Sequence, residues 1–159
     1  MHKKMLFCAA FVTSAFASSI SASGAEYGTA EEAKAMLDRA IVEVKADKAG
    51  AITKFNHNDP HFRDRDLFVF CFNGQDGKFT AHEAMVTRDV RTFQDETGKR
   101  YGEEMYKKAK EGQVVEITFM SPVPGLTEEA PRRSYVTRIG DQVCGVSAYQ
   151  FKEPSKPIL

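Results

Sequence analysis

The run Leu67-Phe68-Val69-Phe70-Cys71-Phe72 is apolar at every position, so a strand formed there has two faces that must be kept from water. It therefore predicts the centre of a sheet with a layer on each side. One layer is legible upstream, where Thr29 and Glu32 have the spacing of a capping box. Behind them Ala30, Ala33, Met36, Leu37, Ala40, Ile41 and Val44 recur at helical spacing, with Glu31, Lys34, Asp38, Arg39 and Glu43 opposite. This predicts an amphipathic helix over 30–46. A short helical piece, 51–55, follows Gly50.

After the central strand, Asn73-Gly74-Gln75-Asp76-Gly77 reads as a hairpin turn, and 78–82 as the returning strand. Residues 83–98 are polar and irregular, and a helix is expected over 99–111. Strands are expected over 113–120, 134–139 and 143–149, with a loop over 122–131 and a tight turn at Gly140-Asp141. Helix, two strands, helix and three strands make an α+β domain.

Residues 1–25 read as a secretory signal peptide: Lys3 and Lys4, an apolar middle, then small residues ending at Ala25. Cleavage is expected after Ala25, with Ala17 the second choice, which places the protein in the periplasm or outside the cell. Met5-Leu6-Phe7 ahead of Cys8 does not suit a lipoprotein signal. The expected domain is 26–152, followed by a polar tail over 153–159. Loss of Lys3 and Lys4 leaves 20 basic and 22 acidic side chains, a balance that disfavours nucleic-acid binding. Cys71 and Cys144 remain; an oxidising compartment invites a disulfide, and their apolar surroundings equally suit two buried thiols.

In this order, Asp66-Leu67-Phe68-Val69-Phe70, Asp76-Gly77-Lys78, Ala81-His82, Thr97-Gly98-Lys99, Ile117-Thr118-Phe119, Arg132-Arg133-Ser134-Tyr135-Val136 and Gly145-Val146-Ser147-Ala148-Tyr149 resemble the single Cache domain family. The resemblance implies a PAS-like five-stranded antiparallel sheet in order 2-1-5-4-3, with a long N-terminal helix and a helix between strands 2 and 3. It implies non-catalytic, extracytoplasmic sensing of a small organic acid. First and last strands are then neighbours, so a Cys71–Cys144 bridge is geometrically allowed. The chain departs from the family at Phe68, where a Tyr is usual, at Ser147, where a Gly is usual, and in having no Trp.

His82 falls at the family's Ala-His position, where its imidazole would donate to a ligand carboxylate and strengthen on protonation in mild acid. Otherwise it is a half-buried ring bonded to backbone. Arg132 can hold a carboxylate through two parallel hydrogen bonds, or be a solvated loop charge. Tyr135 and Tyr149 would add hydroxyls and Phe68 and Phe119 an apolar wall, unless they simply pack the core. Lys99 is the weakest candidate, better read as a helix-start residue.

No established zinc spacing links His57, His61, Asp59 and Asp64, so neither metal nor cofactor is expected. Nucleophile elbow, phosphate loop and dinucleotide fingerprint are all lacking, and the chain is not read as an enzyme. The alternative to a ligand-binding domain is an interaction module. In it phenylalanines fill the pocket, and the surface docks on a membrane receptor or forms a homodimer through the first helix.

Overall fold

The computed structural model describes residues 26–151; the expected signal peptide and the polar tail lie outside them. Helix α1 (Ala30–Ala46) begins at a complete capping box, the Thr29 hydroxyl accepting from the Glu32 N–H and the Glu32 carboxylate accepting from the Thr29 N–H. Asp47 ends α1 and caps α2 (Lys48–Asn56), which is longer than expected because Asp47 accepts from the Gly50 N–H.

The strands are β1 (Arg63–Asp64), β2 (Leu67–Asn73), β3 (Phe79–Ala81), β4 (Val115–Pro122), β5 (Glu129–Ile139) and β6 (Gln142–Tyr149). All pairings are antiparallel, and β2-β6-β5-β4 are successive neighbours, with β1 and β3 both pairing with β2. The two-residue β1 is an addition to the five strands expected. Strand β5 starts at Glu129, inside the segment expected to be loop, because residues 129–131 pair with 120–122 of β4. Proline there masks the strand signal in sequence, since Pro131 cannot donate to a ladder.

Helix α3 (Tyr101–Lys108) is shorter than the expected 99–111. Its C-terminal continuation is diverted into the sheet edge: the Lys110 carbonyl accepts from the Arg138 N–H, and Gly112 turns the chain at φ 69°. A 3-10 turn over Val90–Thr92 lies in the irregular stretch, tied beside β3 by hydrogen bonds between Phe79 and Arg88 and between Thr87 and Phe79.

Period-two alternation splits the core into two layers. Leu67, Val69 and Cys71 of β2, Tyr135 of β5, and Cys144, Val146 and Ala148 of β6 pack with Met36, Leu37, Ala40 and Val44 of α1. Phe70 and Phe72 of β2, Ile117 of β4, Val136 of β5 and Val143 of β6 form the other layer, with Phe79, Val90 and Met105. Both faces of β2 are thus covered, as its sequence requires. Cys71 and Cys144 are register partners on the α1 face and are joined as a disulfide.

Candidate functional site

The layer away from α1 is incompletely filled. Between the sheet and the cover made by residues 85–105 lies a cavity of about 170 Å³. Its apolar wall includes Phe68, Phe70, Phe79, Phe93, Phe119 and Met105. Its polar lining is confined to His82, Tyr101, Ser121, Arg132, Ser134 and Ser147. The phenylalanines wall the space and do not fill it. An apolar cavity of about 150 Å³ can hold a benzene ring, so this one suits a ligand of a few heavy atoms.

Arg132 is half-buried and reaches the cavity from β5. Its guanidinium lies 4.7 Å from the Tyr149 ring and 5.9 Å from the Phe68 ring. One terminal nitrogen, Nη2, donates to the Asp66 carbonyl at 3.1 Å, whereas Nε is buried without a hydrogen-bond partner. Among the described residues no carboxylate stands within ion-pair distance of Arg132, in contrast to neighbouring Arg133, which pairs with Glu116 at 3.1 Å. A second, mixed-charge cleft of about 450 Å³, lined by Arg63, Arg65, Asp66 and Glu83, shares Phe68 and Arg132 with the cavity. Arg132 therefore stands at the junction of the two.

His82 follows β3 directly and packs edge-on against Phe68 and Phe79, at 5.2 and 5.0 Å between ring centres. Its Nδ1 accepts from the Ala84 N–H at 3.1 Å, which assigns the ring proton to Nε2. Burial, aided by the nearby Arg132 charge and opposed by Glu83, pushes its pKa down to about 4. The ring thus stays neutral in mild acid, which corrects the expectation that protonation would strengthen it there. As a neutral donor through Nε2 it remains suited to an anion.

Tyr101, at the start of α3, stacks on Phe119 with ring centres 3.9 Å apart and an angle of 8°. Burial raises its hydroxyl pKa, with Asp95 adding to the rise and Arg132 and Arg88 opposing it, so the group is a neutral O–H. At the sheet, Ser134 and Ser147 are register partners on β5 and β6, and their hydroxyls are 2.5 Å apart.

Of the residues expected at the site, His82, Arg132, Phe68 and Phe119 line one cavity. Three do not. Tyr135 packs in the α1 layer, where the Lys34 ammonium sits 4.9 Å from its ring centre. Tyr149 lies behind Arg132, stacks with Phe151, and donates its hydroxyl to the Pro122 carbonyl. Lys99 is exposed, donates to the Thr118 carbonyl at 2.6 Å and pairs with Glu104 at 3.3 Å. It anchors the loop before α3 to β4.

Sequence reasoning missed Tyr101, Ser134 and Ser147. Ser147 carries a readable signal, a small polar residue inside a mainly apolar strand, whereas Ser134 lies in a strand that also holds Arg132, Arg133, Thr137 and Arg138 and does not stand out. Tyr101 carries none, because its helix face says only that it is covered.

No family model matches the chain, and no curated protein matches it. Among solved structures it is similar to a periplasmic sensor domain of a chemotaxis protein, with 17% identity and a TM-score of 0.55 over 76% of this chain and 90% of that one. It is also similar to a Cache chemosensory domain described for carboxylic acid recognition, with 15% identity and a TM-score of 0.52 over 76% and 88% of the two chains. The fold is Cache-like. In this Cache-like domain the cavity lies on the sheet face opposite α1, and no helix among the described residues is long and apolar enough to cross a membrane.

Proposed function

We propose that this Cache-like domain binds a small carboxylate in the cavity between its sheet and the 85–105 cover, as a non-catalytic extracytoplasmic sensor. The observation that carries this reading is Arg132: a half-buried cation on the cavity wall with no carboxylate in reach among the described residues. On its cavity side Arg132 meets a mainly apolar wall, so an anion entering there gains a charge-assisted hydrogen bond that water competes for poorly. The Nε2–H of His82 and the Tyr101 hydroxyl add neutral donors that favour the same charge. The likeness to a domain described for carboxylic acid recognition supports the class of ligand, and the leader-like N-terminus supports placement beyond the inner membrane. Output would pass to a membrane receptor partner.

Thermal denaturation with acetate, propionate, butyrate, pyruvate and lactate tests the proposal. A ligand that binds only the folded state stabilises it by RT ln(1 + L/Kd), with L the free ligand concentration, so the melting temperature keeps climbing with the logarithm of ligand concentration above Kd. At least one acid is expected to give a rise that grows with the logarithm of its concentration and that Arg132→Ala abolishes. A flat response to every acid, or an unaltered rise in the variant, overturns the reading.

A further inference from the structure

Ser134 is fully buried, Ser147 is 8% exposed, and both line the cavity from opposite strands. Two serine hydroxyls bring two donor hydrogens. One hydrogen makes the bond between the two oxygens, whichever serine donates it. The other has no acceptor, because neither hydroxyl makes a further hydrogen bond among the described residues. A hydroxyl hydrogen left without a partner in mainly apolar surroundings is costly, and the open volume that both serines line is the cavity.

Ser134 also lies two residues from Arg132 on the same face of β5, a separation of roughly 7 Å along the strand. The cavity is thus lined by a charged donor and a neutral hydroxyl donor from the same face of one strand.

Resting on the carboxylate reading above, we infer that the preferred ligand carries a second, uncharged oxygen acceptor, an oxo or hydroxyl group, which takes the spare hydrogen of the Ser134–Ser147 pair. Plain alkanoic acids satisfy Arg132 and leave the serine hydrogen facing methylene. Oxo and hydroxy acids satisfy both.

The test is a calorimetric comparison of matched acids: pyruvate and lactate against propionate, 2-oxobutyrate against butyrate, and 4-oxopentanoate against pentanoate. At least one oxygenated acid is expected to bind about tenfold more tightly than its plain partner, the factor that one added hydrogen bond supplies. The double variant Ser134→Ala/Ser147→Ala removes both hydroxyls together, so no polar group is stranded and the fold is retained. In it the advantage of the oxygenated acids over their plain partners is expected to vanish. Plain acids that match or exceed their oxygenated partners in the wild type overturn the inference but leave the carboxylate reading intact. An advantage that survives in the double variant assigns it elsewhere and also overturns the inference. Should the variant not fold, the wild-type comparison alone decides. Failure of every acid to bind removes both readings.

Discussion

Arg132 and Tyr135 stand three positions apart on β5 and face opposite sides of the sheet: Arg132 lines the cavity, and Tyr135 packs against the α1 layer. An odd separation along a strand always has this result. The two can therefore be separated by mutation. Tyr135→Phe keeps the buried ring and is expected to leave carboxylate binding within about twofold of wild type, whereas Arg132→Lys loses the paired hydrogen-bond geometry and about tenfold or more in affinity. Calorimetry with the best acid checks both, and equal losses would deny Arg132 its special place.

The His82 ring sets a pH dependence. Its folded pKa of about 4 lies below the unfolded value near 6.5, so between these values the unfolded chain binds more protons. Stability must then fall as pH drops from 7 toward 4, by on the order of 2 kcal/mol once the partial exposure of the ring is discounted. His82→Gln has no such proton to take up. Urea titrations of both proteins at pH 7 and pH 4.5 are expected to show the smaller decline in the variant, and parallel declines would contradict the assignment.

Gly102 holds α3 against the 3-10 turn. A Cβ there would lie 1.8 Å from the Val90 carbonyl oxygen and 3.1 Å from the Phe93 Cβ. Gly102→Ala must push the helix away from the backbone that carries two cavity-lining residues, Val90 and Phe93. A destabilisation of about 1–3 kcal/mol is expected, together with weaker ligand binding. A variant as stable as wild type would mean that the contact relaxes at no cost.

The disulfide joins positions 73 residues apart, across the two central strands. Closing a loop of that length restricts the unfolded chain enough to stabilise the fold by about 4 kcal/mol. The Cys71→Ala/Cys144→Ala protein should lose most of that in chemical denaturation. A shift below about 1 kcal/mol would show that packing of these buried positions matters more than the cross-link.

Much of the architecture is written locally. The Thr29–Glu32 capping box marks the start of α1, and six apolar residues in a row require β2 to be covered twice. Alternation also decides the face of each strand residue, and counting from Arg132 would have placed Tyr135 away from the cavity. The ends of β5 and α3 are less legible, because pairing with β4 turns a proline-bearing segment into strand and the Lys110–Arg138 bond draws the chain out of its helix.

The sequence by itself determined the order of the main helices and strands, the two-sided burial of the sheet, and the placing of His82 and Arg132 at its strands, since these follow from spacing and side-chain polarity along the chain. Only the tertiary structure decided that Arg132 has no carboxylate within ion-pair distance among the described residues, that burial beside Phe68 and Phe79 keeps His82 neutral, and that Ser134 meets Ser147 across a strand pair. Charge pairing, desolvation and cross-strand register depend on which distant residues become neighbours, and no local pattern carries that information.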